Sequence, residues 1–391
     1  MKITGVIAEY NPFHEGHAYH LRAARERSGC DYIVVCMAGS YTQRGAAACL
    51  SKWDRARMAL MCGADAVFEL PAMFAVRTAD AFAVGGVGVL AGLGVDALSF
   101  GCEMDAPEML ARLAALRERE PAAAAEAVRR NLDAGMSHAR AWGAAAAEYL
   151  GASPEAVNAP NAILGAEYIR ALNRLGAEME IWLVARRGEY HESALGGEGF
   201  ASASAIRAKL FSGEREAALR CVPEAVRGIL EGAGSMHAPD DLLLWRLREM
   251  SEAELAGYPD VAEGLERRVK RLAATAATQE ALIEEVKCKR YTRARLSRLT
   301  AHVLLGLTAE LAQRHPAPEY ARLIGLRDDA RPLLAELKRR AALPIVSDVT
   351  RLRGDEVFAL ECRATDLRAL QCDRPEDRRA GQEYTQKFVR V

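Results

Sequence analysis

The chain has 391 residues, of which 50% are hydrophobic and 27% are charged. This length allows roughly two to three domains, and the composition excludes an intrinsically disordered or fibrous protein. The 52 Lys and Arg residues balance 53 Asp and Glu residues, and a net charge of -1 excludes a protein that holds nucleic acid by overall basicity. A local basic patch is still compatible with these numbers.

No targeting or membrane segment is expected. Glu9 ends the N-terminal apolar run before it reaches the length of a signal-peptide core. The most apolar stretch, residues 79–98, contains two aspartates and five glycines, which favours a packed helix leading into a strand over a membrane span. The nine cysteines are scattered without a CxxC pair, as is typical of free thiols in a reducing compartment. We therefore expect a cytoplasmic protein, and nothing in the sequence indicates a membrane or a stable protein partner.

Short β-branched runs alternate with helical patterns over residues 1–210. Such alternation predicts βαβ units, and hence an α/β fold with a parallel sheet covered by helices on both faces. Ala-rich sequence at about 107–175 predicts a helical insertion between the fourth and fifth strands. The predicted strands are Ile3–Ala8, Tyr32–Met37, Ala66–Leu70, Ala97–Gly101 and Ile181–Arg186.

Strand signals almost disappear after residue 210. Segments rich in Leu, Ala, Arg and Glu are separated by turns, and one strand-like run, Leu343–Val349, comes late. Residues 211–391 are therefore predicted to form a mainly α-helical C-terminal domain.

The most informative segment is Gly5 to His20, GVIAEYNPFHEGHAYH. A strand runs into a turn at Asn11-Pro12, and HEGH then opens a helix. Strand carboxyl ends and helix N-termini both suit a nucleoside triphosphate, and Gly16 would let phosphate approach the backbone. His14 and His17 are candidate donors that stabilise charge on departing pyrophosphate.

Two alternative roles for the histidines stay open. They could be a purely structural pair, or they could bind a metal together with His20. The turn at Pro12 argues against His14 sharing a helical face with His17, and no further cluster completes a metal site. We predict no metal site held by the protein, and we expect Mg²⁺ to arrive with the nucleotide.

A second segment, FASASAIRAKL at residues 200–210, places Ser202, Ser204 and Arg207 at the start of a helix after the last strand. The hydroxyls can cap the helix, and the planar guanidinium can clamp a phosphate. Taken alone, this is an ordinary helix start. Paired with HEGH, it resembles the second signature of the nucleotidylyltransferase superfamily, which implies a Rossmann-like domain that binds ATP.

Longer motifs narrow the resemblance. In order along residues 5–210, the chain carries GVIAEYNPFHEGHAYHL, CMAGSYTQRG, GADAVFELP, LSFGCE, PNAILGAEYIRAL, YHES and SASAIR, and KRYTRARLSR follows at 289–298. This combination resembles the tRNA(Met) cytidine acetate ligase family. The resemblance implies an ATP-dependent ligase that forms acetyl-adenylate and pyrophosphate. The acetyl group then passes to the exocyclic amine of the wobble cytidine of elongator tRNA(Met), giving N4-acetylcytidine.

The resemblance also assigns site residues, with His14 and His17 as catalytic groups. Arg187 is an alternative to Arg186, because the interval to Tyr190-His191 is shorter than the family's usual pattern. Ser204 stands where the family often has Thr, which keeps the hydroxyl. The implied ATP contacts are Ile7, Ala8, Glu9, Tyr10, Asn11, Pro12, Phe13, His14, Glu15, Gly16, His17, Ala18, Tyr19, His20, Gly101, Asn161, Arg186, Ser204 and Arg207.

Some of these positions could instead have a structural role. Gly101 could form a plain turn at the end of a strand, and Asn161 could be a helix N-cap. Arg186 should face a ligand crevice, since it ends a strand expected to be buried. Lys52, at the start of a helix, is expected to be exposed.

The RNA partner has one candidate surface. Residues 287–298, KCKRYTRARLSR, contain six basic residues and no acidic one. If this segment is helical, one face carries a stripe of Lys287, Tyr291, Arg295 and Arg298, which could track phosphates while the tyrosine stacks on a base or sugar. A solvated basic helix face is the alternative. The candidate tRNA contacts are Lys289, Arg290, Tyr291, Arg293 and Arg295.

Two other functions are compatible with parts of the sequence. An adenylyltransferase for a small phosphorylated acceptor would need neither the helical domain nor the basic stripe. A non-catalytic, ATP-responsive RNA-binding protein would not need the histidine pair beside Ser204 and Arg207.

Overall fold

The computed structural model describes residues 1–104, 106–136, 138–185 and 200–391. Eight strands form one sheet: β1 (Ile3–Ala8), β2 (Tyr32–Ala38), β3 (Ala66–Leu70), β4 (Ala97–Cys102), β5 (Glu180–Ala185), β6 (Ala321–Leu326), β7 (Ile345–Val346) and β8 (Val389–Arg390). The spatial order is β5-β4-β1-β2-β3-β6-β7, and β8 pairs with β6.

Helices make up most of the remaining described residues. They are α1 (Glu15–Ser28), α2 (Lys52–Met61), α3 (Ala72–Ala75), α4 (Ala79–Gly92), α5 (Pro107–Glu118), α6 (Ala122–Asp133), α7 (His138–Leu150), α8 (Pro154–Asn158), α9 (Pro160–Leu175), α10 (Ala203–Phe211), α11 (Arg215–Leu219), α12 (Arg227–Glu231), α13 (Asp240–Glu249), α14 (Glu252–Ala256), α15 (Leu265–Ala273), α16 (Gln279–Val286), α17 (Arg293–Leu305), α18 (Ala309–Arg314), α19 (Arg331–Arg340), α20 (Glu356–Leu370) and α21 (Gln382–Thr385). Short 3₁₀ turns lie at Glu224–Val226, Asp328–Ala330, Val349–Leu352 and Pro375–Arg378.

The five predicted strands are confirmed and run parallel. From β1 the chain adds β2 and β3 on one side and then returns to add β4 and β5 on the other. This reversal places a crevice at the carboxyl ends of β1 and β4, where ligands of open α/β sheets bind. The predicted helical insertion at about 107–175, between β4 and β5, is also confirmed, as α5 to α9.

Both faces of the sheet are covered. The cluster on one face includes Phe68, Leu90, Tyr168 and Phe358, and brings α4, α9 and α20 together with the strands. The apolar stretch at 79–98 is thus a packed helix followed by a strand, as expected. No helix in the described part of the chain is long and apolar enough to cross a membrane. All nine cysteines are free thiols.

The C-terminal half contributes more to the sheet than its sequence indicates. Helices α13 to α17 have a core of their own, which includes Leu243, Leu282 and Leu299. The chain then returns to the sheet, where β6 pairs antiparallel with β3 and all six of its residues are buried. Of the predicted run at 343–349, only Ile345–Val346 is strand. The half is still mainly helical, and the domain boundary near residue 210 stays a prediction.

Lys52 does not lie at the surface, so the expectation of an exposed lysine is wrong. Its side chain is fully buried and contacts the carboxylates of Glu69 and Glu383. Arg322 of β6 bridges the same two carboxylates at 2.8 and 2.6 Å. Glu361 completes this buried charge cluster, with its carboxylate 3.8 Å from the lysine ammonium. The partners come from β3, β6, α20 and α21, which no local pattern could bring together.

Candidate nucleotide site and basic cleft

Helix α1 begins at the carboxyl end of β1, just after a cis peptide bond between Asn11 and Pro12. His14 is its N-cap, and the His14 Nδ1 accepts a hydrogen bond from the Gly16 N–H at 3.1 Å. The His14 N–H in turn donates to the His17 Nδ1 at 3.3 Å. Since both imidazoles accept at Nδ1, each carries its proton on Nε2 as a donor.

The two imidazoles stack on each other, with centroids 3.7 Å apart and planes inclined by 26°. The turn at Pro12 argued against a shared helical face, but the N-cap position folds His14 back over the first turn of the helix. Gly16 makes room for this, because a Cβ there would lie 2.9 Å from the His14 Cε1 atom. The glycine therefore serves the histidine pair as well as any bound phosphate.

The loop before α1 is held from several sides. Tyr10 is buried at φ +50°, and its ring meets the His17 ring edge-on at 4.8 Å. The Asn11 Oδ1 accepts from the Cys49 N–H at 2.8 Å, and the buried Arg55 donates to the Glu9 carbonyl at 2.7 Å. The Glu9 carboxyl accepts from the Gln43 N–H at 2.7 Å, and burial raises the pKa of this carboxyl. The loop is therefore organised before any ligand arrives.

The second signature meets this loop, as expected. Ser202 is the N-cap of α10, and its hydroxyl accepts from the Ala205 N–H at 3.1 Å. Arg207 donates through Nη2 to the Ser204 hydroxyl at 3.2 Å, and through Nη1 to the Asn11 carbonyl. The guanidinium thus ties α10 to the turn that precedes His14.

Three other candidates lie in or beside β4. His20 hydrogen-bonds to the Ser99 hydroxyl of β4 at 3.2 Å. Gly101 lies within β4 opposite Val184, so the alternative of a strand-end turn is wrong. Asn161 is the second residue of α9 and donates to the Glu103 carboxylate. Ala159 is the N-cap of α9, so the capping role considered for Asn161 is also wrong.

Two candidates lie outside the described residues. They are Arg186 and its alternative Arg187, and the YHES motif lies there as well.

The site offers mainly hydrogen-bond donors. The N-terminus of α1, the two imidazole Nε2–H groups and Arg207 converge near one loop, which is the arrangement that a triphosphate requires. Among the described residues, no group of three or more His, Cys, Asp or Glu side chains could hold a metal ion.

The basic segment at 287–298 is not one helix, so the proposed stripe is wrong. Helix α16 ends at Val286, and α17 begins at Arg293 with Thr292 as its N-cap. The Tyr291 ring is buried, and its hydroxyl donates to the Glu263 carbonyl at 2.6 Å. The ring is therefore not placed to stack on a base. Residues 287–292, between the two helices, form a loop with bends, and Tyr291 packs inward from it.

The arginines of α17 already have protein partners. Arg293 pairs with Glu280 and with Glu284, the latter at 2.7 Å. Arg295 donates from Nε to the Asp260 carbonyl at 2.8 Å.

The loop between α16 and α17 faces a different set of cations. Lys289 and Arg290 line an open cleft of about 820 Å³ together with three arginines of α15. Sequence reasoning missed the α15 contribution, although its basic spacing (LERRVKRLA) was the available signal. We call this surface the basic cleft; its cations are Arg267, Arg268, Arg271, Lys289 and Arg290.

Comparisons with known proteins agree with this geometry. The family model described as HIGH Nucleotidyl Transferase matches residues 1–383. The tRNA(Met) cytidine acetate ligase of Acetivibrio thermocellus is 34% identical over the whole of both chains. The protein of the same name from Syntrophotalea carbinolica is 37% identical, covering 98% of this chain and 94% of its own. The structure of Thermotoga maritima TmcAL bound with alpha-thio ATP is 30% identical, covers both chains fully and superposes with a TM-score of 0.89. The chain therefore belongs to the tRNA(Met) cytidine acetate ligase family of HIGH nucleotidyl transferases.

Proposed function

We propose that this protein activates acetate with ATP and transfers the acetyl group to the exocyclic amine of the wobble cytidine of elongator tRNA(Met). The observation that carries the proposal is the convergence of the stacked His14 and His17 imidazoles with Arg207 at the start of α1. The names of the relatives and the bound nucleotide analogue of a similar structure support the same reaction.

In the first step, an acetate oxygen attacks the α-phosphorus of ATP, and the bond to the departing pyrophosphate breaks. A carboxylate needs no general base for this attack, so the site must position the reactants and neutralise charge. The Nε2–H groups of His14 and His17 and the guanidinium of Arg207 are the donors that would stabilise the pyrophosphate. The further contacts proposed along residues 7–20 and at Gly101, Asn161, Arg186 and Ser204 would hold the nucleotide.

In the second step, the cytidine amine attacks the acetyl carbonyl carbon. The new C–N bond forms as the C–O bond to AMP breaks, AMP departs, and the amine gives up one proton to water. The product is N4-acetylcytidine.

The RNA backbone is proposed to lie on the basic cleft. Lys289 and Arg290 keep the role that the sequence suggested, and Arg267 and Arg271 join them from α15. Glu252 is the one carboxylate among the described residues that line the cleft, so the surface favours phosphates.

The test combines labelled acetate, ATP and total tRNA. Label should enter tRNA only when ATP is present, and His17→Ala should lower acetate-dependent ATP–pyrophosphate exchange at least about 100-fold with little change in tRNA affinity. His315→Ala, a substitution outside α1 and its loop, is the control. AMP transfer to a small acceptor would support the adenylyltransferase instead. Binding of tRNA without pyrophosphate release would support the RNA-binding protein.

The cleft is tested by the salt dependence of tRNA binding. The association constant K falls as salt rises, so log K plotted against log[salt] has a negative slope. Replacing Arg271 and Arg290 with Gln should make this slope less steep by about 0.7–0.9 for each lost phosphate contact. Arg293→Gln should change the slope less, because Glu280 and Glu284 already neutralise this guanidinium. A larger effect at Arg293 than at the cleft would refute the assignment.

A further inference from the structure

A cavity of about 280 Å³ lies where the loop after β2 meets α10, α16 and α17. We call it the junction pocket; the lining residues that matter here are Ala46, Cys49, Arg207, His237, Gln279 and Thr300. We propose that the junction pocket receives the acceptor cytosine, turned out of the RNA, while the acyl-adenylate occupies the adjacent nucleotide site. This inference rests on the proposed function and specifies where its second substrate binds.

The pocket shares a wall with the nucleotide site. Arg207 lines the pocket and also donates to the Asn11 carbonyl. Cys49 lines it too, and its N–H donates to the Asn11 Oδ1 at 2.8 Å. A base in this pocket therefore lies against the turn that leads into His14. The volume is close to the lower end of the range of about 300–1,000 Å³ for small-molecule sites, which fits a single base.

The lining favours a neutral, planar ligand. Its described residues include one arginine and no Asp or Glu, so it lacks both the positive charge that a polyphosphate requires and the carboxylates that a cation requires. Two planar side chains at its edge, Phe211 and His237, are about half exposed and available for stacking. Unstacked bases are held in proteins by such stacking together with hydrogen bonds to their polar edges.

Gln279 supplies a specific acceptor. Its Nε2 donates to the Thr300 hydroxyl at 3.1 Å, and that hydroxyl donates to the Ser297 carbonyl at 2.8 Å. Because the Thr300 hydroxyl donates its proton to Ser297, it can only accept from Gln279. The glutamine amide must therefore point its NH₂ group at the threonine. The Gln279 Oε1 is then a buried acceptor without a hydrogen-bond partner among the described residues. An exocyclic amine, such as that of cytosine, is the donor that this oxygen lacks.

Helix α16 runs from the junction pocket toward the basic cleft. Helix α16 begins in the pocket at Gln279 and ends at Val286, beside the loop that carries Lys289 and Arg290. At a rise of about 1.5 Å per residue, its eight residues span about 12 Å, the length of a few stacked nucleotides. RNA whose phosphates lie on the cleft can therefore deliver one base to the pocket.

The first experiment fills the pocket. Ala46 is exposed at the rim, so Ala46→Trp adds a ring to the cavity without entering the core. We expect acetyl transfer to tRNA to fall at least about tenfold, whereas acetate-dependent pyrophosphate exchange and tRNA affinity change by less than about twofold. Ala123→Trp, at an exposed position on α6, is the matched control for an added tryptophan.

Two further measurements use other signals. Gln279→Leu should lower transfer about tenfold and leave pyrophosphate exchange unaltered. An anticodon stem-loop with a fluorescent cytosine analogue at the acceptor position should change its emission on binding to the wild-type protein, and Ala46→Trp should abolish that change.

The outcomes separate the two proposals. If the wild-type protein labels tRNA but both variants transfer acetyl at the wild-type rate, the junction pocket is not the base site and the proposed function stands. If pyrophosphate exchange falls as much as transfer, the pocket serves acetate or the nucleotide, and the base assignment is again refuted. If the wild-type protein puts no label into tRNA, the proposed function itself fails.

Discussion

Replacing Lys52 by methionine should destabilise the protein strongly. The lysine is buried among the carboxylates of Glu69, Glu361 and Glu383. Burial by itself would lower the pKa of Lys52, but Glu383 and Glu69 raise it above its ordinary value, so the ammonium is charged. Methionine keeps much of the length of the side chain and removes the charge. Among the described residues, Arg322 would then be the cation left in direct contact with Glu69 and Glu383.

The magnitude follows from this geometry. Removing one partner of a buried ion pair costs about 3–5 kcal/mol. Because Arg322 still bridges two of the carboxylates at 2.8 and 2.6 Å, we expect the lower end, about 3 kcal/mol. An unfolding entropy of about 2.1 cal/mol/K per residue over 391 residues converts this loss into a Tm decrease of about 4 °C.

Thermal and urea unfolding at pH 7 measure the loss. The double variant Lys52→Met/Glu383→Gln should recover more than half of it, because it removes an unpaired charge together with its partner. Lys209→Met is the control, since its pair with Glu214 lies at the surface, where solvent screens it, and its loss should leave Tm almost unchanged. A Lys52→Met variant as stable as the wild type, or a double variant less stable than the single one, would refute the reasoning.

Three further predictions follow from backbone and burial. Gly16→Ala should lower acetate-dependent pyrophosphate exchange at least about tenfold without a change in Tm. The added Cβ would lie 2.9 Å from the His14 Cε1 atom and would therefore displace the imidazole. Unchanged exchange would contradict this. Gly45→Ala should lower the free energy of unfolding by about 2 kcal/mol, since φ is +76° and the Cβ would lie 2.3 Å from the Ser297 carbonyl oxygen. Gly213→Ala, at φ +90° with nothing within 4 Å, should cost only about 1 kcal/mol, and equal losses would exclude a steric cause. Burial lowers the pKa of His302 from 6.5 to about 4. The neutral imidazole therefore stabilises the fold fully above about pH 6.5, and this stabilisation, about 3 kcal/mol, is lost as the pH falls to about 4. His302→Gln should flatten the pH dependence of the free energy of unfolding, measured with urea, over that window, and an equally steep profile would count against the assignment.

The sequence by itself determined the parallel sheet and the two signatures of the site. The strands from β1 to β5 were readable because each is a short run of mainly apolar residues, and those from β1 to β4 are almost completely buried. The cap at Ser202 was readable because capping depends on residues only two or three positions away, whereas the N-cap role of His14 came from the structure. The resemblance of the two motifs to a known superfamily implied that Arg207 serves the same site as His14, and Arg207 contacts the turn before that histidine.

Only the tertiary structure decided the features that depend on distant partners. Lys52 is buried because four segments between residues 69 and 383 supply its neighbours, and β6, which pairs with β3, brings Arg322 to the same carboxylates. The basic stripe does not form because the chain leaves the helix between Val286 and Arg293, where Tyr291 is buried and bonds to the remote Glu263 carbonyl. The junction pocket exists only where a loop of the sheet meets α16 and α17. Local sequence specifies hydrogen bonds over a few residues, whereas the neutralisation of buried charge and the shape of a cavity depend on which remote segments fold together.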